Sequence, residues 1–159
     1  MQAGAVEVVH GTAIAIAGRA ALLRGPSSSG KSDLALRCLM QAPSRLLPQT
    51  VELVSDDQVV IERADQQLLV RAPPAIRGLL EVRGLGIMRI PAIDSGYLSL
   101  VVELVAPDKV ERLPQTRRDV VVAGLPVPYL ELSPFEMSAP LKLLLALQQV
   151  SDQVNPGRG

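Results

Sequence analysis

Apolar residues fall in short runs along most of the chain, and turn-forming residues interrupt them at intervals that suit strands better than helices. VEVVH (Val6–His10), TAIAI (Thr12–Ile16) and AALLR (residues 20–24) read as three short strands, with Gly18 and Arg19 marking a hairpin-like turn. Helical spacing then begins at Lys31 and runs to about Met40, and Pro43 and Pro48 bound a loop. VELVS (Val51–Ser55) reads as a buried strand, and VVIER and QLLVR, either side of ADQ, as a β-hairpin. RAPPAIRG reads as a loop, and LLEVRG as a short strand before a Gly-rich turn. YLSLVVELV (97–105), long and rich in β-branched residues, is the clearest strand, and DVVVAGLPVPYLEL reads as two more extended pieces. A closing helix is predicted where Ser138 can cap, Pro140 falls in the first turn and LKLLLALQQV follows. Strands outnumber helices, and hairpins precede the first helix, which departs from a regular doubly wound array. The pattern predicts an α/β fold: a mixed β-sheet with flanking helices, in one domain.

Composition narrows the function classes. The chain has 159 residues, 48% of them hydrophobic, and a formal net charge of zero. It can bury a core, and no global basic field attracts nucleic acid or an acidic membrane surface. No apolar run approaches the roughly 20 residues that span a bilayer. Cys38 is the single cysteine, so neither an internal disulfide nor a cysteine zinc cluster can form, which fits a reducing cytoplasm. Tyr97, Tyr129 and Phe135 are the only aromatic residues. That argues against a single-strand nucleic-acid platform.

One segment carries specific chemistry. Gly25, Pro26, Ser27, Ser28, Ser29, Gly30, Lys31 and Ser32 satisfy G-x-x-x-x-G-K-[ST] in full, with a strand before and a helix after. The glycines let successive N–H groups curl around a phosphate, and the helix N-terminus adds unpaired donors. Lys31 is placed to reach β- and γ-phosphate oxygens and Ser32 to offer a hydroxyl to Mg²⁺. A chance match in a chain of this length is on the order of one in a hundred, given glycine at about 7%. Downstream, LVSDDQVVI puts Asp56 and Asp57 at a strand end. One such carboxylate can serve a metal and the other accept a hydroxyl proton. A solvent-exposed Asp-Asp turn is an equally ordinary explanation.

LLEVRGLGIM (79–88) holds an acidic residue, an arginine and two glycines in an otherwise apolar run. With VHGT (9–12), the phosphate loop and LVSDD, it resembles the catalytic domain of the HPr kinase/phosphorylase family, over nearly the whole chain. The resemblance implies a P-loop kinase fold related to phosphoenolpyruvate carboxykinase and assembly as a hexamer. It also implies ATP-dependent, Mg²⁺-dependent phosphorylation of a serine on an HPr-like phosphocarrier protein, reversible in many members with inorganic phosphate. Carried over residue by residue, Lys31 is the catalytic lysine and Ser32 and Glu81 are metal-linked. Asp57 is the base, His10 is the active-site histidine, and Arg112 is an arginine of a mobile segment. Asp56 takes a supporting role.

Several departures qualify what the resemblance implies. The chain starts almost at VHGT, so residues 1–159 are expected to form a single catalytic domain without the N-terminal domain of larger members, as in short Gram-negative forms. Ser28 stands where many members have glycine, and Pro26 stiffens the loop further. SPFEMSAP (133–140) contains Glu136 and neither Lys nor Arg where larger members carry a basic segment tied to dephosphorylation. The forward reaction is therefore expected more firmly than the reverse. With few aromatic residues, adenine is expected to lack a stacking partner. Two other readings of the phosphate loop compete: a small-metabolite kinase, which would turn over without a protein acceptor, and a nucleotide-sensing module, which would need no base.

Overall fold

The computed structural model describes residues 4–154, with side chains to residue 150. Among the described residues, nine of the eleven strands form a curled mixed sheet with both helices on one face, and the other two pair as a separate hairpin. Strands β1 (Val6–His10), β2 (Thr12–Ile16) and β3 (Arg19–Arg24) lead into helix α1 (Lys31–Leu39). Then come β4 (Val51–Ser55), the hairpin β5 (Gln58–Ala64) and β6 (Gln67–Arg71), and a separate small hairpin, β7 (Leu79–Val82) with β8 (Gly86–Arg89). The chain closes with β9 (Gly96–Leu104), β10 (Arg118–Val122), β11 (Leu125–Leu132) and helix α2 (Ala139–Val154).

The main path of the sheet runs β1-β5-β6-β9-β3-β2-β4. One edge of β9 is shared: β6 pairs with its start (Leu69 opposite Tyr97) and β11 with its end (Leu132 opposite Leu104). Because β2 runs antiparallel to both β3 and β4, those two point the same way, and β9 and β11 run parallel to them. Four carboxyl ends therefore gather on one side, the location at which open α/β sheets bind ligands.

All five residues of β2 are buried, and the period of two sends them to opposite faces. Ile14 and Ile16 face a core shared with Leu34 and Cys38 of α1 and Leu143, Leu144 and Leu147 of α2. Ala13 and Ala15 face a second core with Val54, Val59, Ile61, Leu68, Val122 and Val127, as the outer strands fold back across the sheet. Small alanines in the centre give those outer strands room to approach. The β2–β3 turn is Ala17-Gly18, both at positive φ (48° and 77°), one residue earlier than the sequence suggested. That is the conformation a two-residue hairpin loop demands.

Candidate active site

The phosphate loop leaves β3 at Arg24 and ends where α1 begins at Lys31. Two of its residues take left-handed backbone, Ser28 at φ 63° and Gly30 at φ 93°. The strained serine lies at the position that the sequence marked as unusual. Lys31 is buried, 7% exposed, and its ammonium donates to the Gly25 and Pro26 carbonyls, both at 2.8 Å. Burial pulls its pKa below the ordinary lysine value, while the charges of Asp56, Asp57 and Glu103 work against that shift. Beside the loop, Arg24 pairs with Glu103 at 3.0 Å across the β3–β9 register.

The two aspartates at the end of β4 diverge. Asp56 is buried, 5% exposed, and both its carboxylate oxygens accept hydrogen bonds. Its Oδ1 accepts from the Ser32 hydroxyl at 2.7 Å and from the Thr12 hydroxyl at 2.8 Å, and its Oδ2 accepts from the Glu81 backbone N–H at 3.1 Å. Asp57 is exposed and sits at φ 68°, a left-handed conformation that Asp adopts more readily than most residues. Its Oδ1 lies 3.5 Å from His10 Nδ1. The strand pairing explains this meeting: His10 at the end of β1 stands opposite Gln58, and the Gly11 N–H donates to the Asp57 carbonyl at 3.0 Å.

The remaining predicted residues divide. Glu81 reaches the site through its backbone, and its side chain is exposed. The β7–β8 hairpin that carries it is anchored by Leu80, which is fully buried. Arg112 lies in an exposed stretch, 111–119, and among the described residues no hydrogen bond or ion pair ties it to the loop. No three His, Cys, Asp or Glu side chains gather into a metal cage among the described residues. Mg²⁺ at phosphate sites needs no such cage, because one or two protein oxygens suffice and phosphates and water complete the octahedron. Ser32 and Asp56 supply oxygens of that kind. Ser32 gives its only proton to Asp56, so its lone pairs remain available to a cation.

Sequence reasoning passed over two features. Arg37, two turns along α1, donates to the carbonyls of Pro134 and Glu136 and so fastens the 133–138 segment beside the phosphate loop. That segment sets Pro134 and Phe135 against Gly30. The spacing from Lys31 gives no hint of this, because the partners lie about a hundred positions away.

The family model described as the HPr serine kinase C-terminal domain matches residues 2–145. The chain belongs to that family. Two curated relatives bear the name HPr kinase/phosphorylase. The protein from Burkholderia lata is 37% identical over 129 residues, which cover 75% of this chain and 38% of that protein. The Burkholderia cenocepacia protein is 36% identical over the same length. The chain thus spans about two fifths of the length of the curated relatives it matches. Among solved structures, the Hpr(Ser) kinase/phosphatase from Coxiella burnetii superimposes with a TM-score of 0.78 at 20% identity, covering 94% of this chain and 93% of that one. The fold of the HPr serine kinase C-terminal domain family, a mixed α/β sheet around a phosphate loop, is therefore the fold of this chain, as the sequence predicted.

Proposed function

We propose that the protein is an ATP-dependent protein-serine kinase whose acceptor is an HPr-like phosphocarrier. One observation carries the reading beyond family membership: adjacent carboxylates with opposite exposures. Asp56, held by the Ser32 and Thr12 hydroxyls, faces inward to the phosphate loop, and Asp57, beside His10, faces outward to solvent. A nucleotide sensor has use for the first but not for the second. An outward base also suits a macromolecular acceptor, which cannot enter a closed pocket.

In this reading Lys31 turns from the loop carbonyls to the β- and γ-phosphates, and the loop N–H groups and the first turn of α1 hold the β-phosphate. Magnesium, held at Ser32 with Asp56 orienting that hydroxyl, would neutralise phosphate charge. Asp57 accepts the proton of the acceptor serine as its oxygen bonds to the γ-phosphorus and the bond to the β–γ bridging oxygen breaks. His10, 3.5 Å from Asp57, fixes the rotamer of that carboxylate. Arg112 enters only if its segment moves over the phosphates, and Glu81 contributes mainly through its N–H. Phosphorolysis would use the same groups with Asp57 starting protonated. The lack of Lys and Arg in 133–140 supports a forward-biased enzyme. A hexamer in the cytoplasm belongs to the same proposal.

The test is transfer from γ-labelled ATP, with Mg²⁺, to an HPr-like protein beside a copy whose acceptor serine is alanine. Label on the first alone is the expected result. Asp57→Asn should retain ATP binding and lose transfer by about 10²–10⁴-fold. Undiminished transfer would remove Asp57 from the role of base.

A further inference from the structure

Phe135 is the one phenylalanine of the chain, and it is 72% exposed. Its backbone is nevertheless pinned on both sides. Arg37 donates to the carbonyl of Pro134 before it and to that of Glu136 after it. The Ala139 N–H also donates to the Glu136 carbonyl, at 3.0 Å, and Lys142 pairs with the Glu136 carboxylate at 2.6 Å. Ser133 and Pro134 are buried, so the segment is seated from its start. These anchors hold in place the backbone that carries the ring.

The ring is also placed at the phosphate loop. A Cβ on Gly30 would stand 3.1 Å from Phe135 Cε1 and 3.2 Å from Cζ. The ring edge therefore rests on the last loop residue before α1, and most of the ring remains open. A fixed, open aromatic surface against a phosphate cradle has the shape and polarity that a nucleobase covers when its phosphates occupy the cradle.

We infer that Phe135 is the base platform of the nucleotide site: the purine of a nucleoside triphosphate stacks on the ring while its phosphates occupy residues 25–32. The inference rests on the nucleotide reading above and departs from the expectation that adenine lacks a stacking partner. A ring reads the π-face of a base and not its hydrogen-bonding edge, so ATP and GTP should bind alike.

Binding of ATP, GTP and tripolyphosphate, each with Mg²⁺, separates this from its alternatives. Phe135→Ala should weaken ATP and GTP about tenfold and leave tripolyphosphate unchanged. Phe135→Trp installs the only indole of a chain that has no tryptophan. Its emission should change with ATP and GTP and stay constant with tripolyphosphate. Equal weakening of all three by Phe135→Ala would make the ring a support for the loop and overturn the platform. So would unchanged ATP affinity with a raised KM for the phosphocarrier, which would assign the ring to the acceptor. If the wild-type protein binds neither tripolyphosphate nor ATP, the nucleotide reading itself fails and the platform falls with it.

Discussion

At the scale of single residues, backbone conformation decides as much as side-chain identity. Ser28 holds φ 63° in the phosphate loop, a region that costs a side-chain-bearing residue about 1–2 kcal/mol. Ser28→Gly relieves that strain but frees the unfolded chain, so the net gain should be at most about 1 kcal/mol. It should appear as a raised urea midpoint with an unchanged slope. Cys38 shows the reverse dependence on surroundings. Burial between α1 and α2 pushes its thiol from 9.0 up to about 12, against the lowering influence of Arg37. The folded protein therefore keeps a proton that the unfolded chain releases above about pH 9. Stability present below that pH should fall as pH rises toward 12. Urea midpoints of the wild type should drop more steeply over that range than those of Cys38→Ala. Asp56 and Asp57 mark a limit of sequence reading. Two identical neighbours cannot be told apart in the string of letters. They separate only when φ 68° at Asp57 and the hydroxyls of Thr12 and Ser32, distant in the chain, act on them.

At the scale of elements, α1 does three jobs. Its buried face, Leu34, Ala35 and Cys38, docks it on the sheet, and its first turn completes the phosphate loop. Its last turn holds the 133–138 segment through Arg37. Arg37→Met keeps most of the apolar stem and removes the donors. It should cost about 1.5–3 kcal/mol and raise amide exchange at residues 135–138 while α1 itself stays protected. The elements legible in the sequence were those with local signatures: the strand–loop–helix of residues 20–39, the β5–β6 hairpin and the long β9. In the sequence, β8 reads as part of a Gly-rich turn, because every one of its residues is exposed and no alternation marks it as a strand. Leu80 is the one buried residue of β7 and β8, and one buried leucine is not a pattern.

At the scale of the whole molecule, a single sheet separates two cores, one under the helices and one inside its own curl. Alternate residues of β2 belong to each, so neither core can dissolve without exposing the back of the other. Leu143→Ala on the helical side and Val59→Ala on the curled side should each lower the same melting transition, by about 2–5 and about 1–3 kcal/mol. Far-UV and near-UV signals should coincide throughout. Two separated transitions would show that the curl and the helical layer unfold independently.

The Lys31 ammonium adds a consequence of a different kind. Its bonds to the Gly25 and Pro26 carbonyls mean that the loop already answers its own strongest charge. An arriving anion competes with two short internal bonds as well as with water. A lone monovalent ion gains little from that exchange. A chain of phosphates, which meets the lysine and the loop N–H groups together, gains much more. In the proposed role the loop thus acts as a filter on phosphate number, set to stay closed against the ordinary salts of its surroundings.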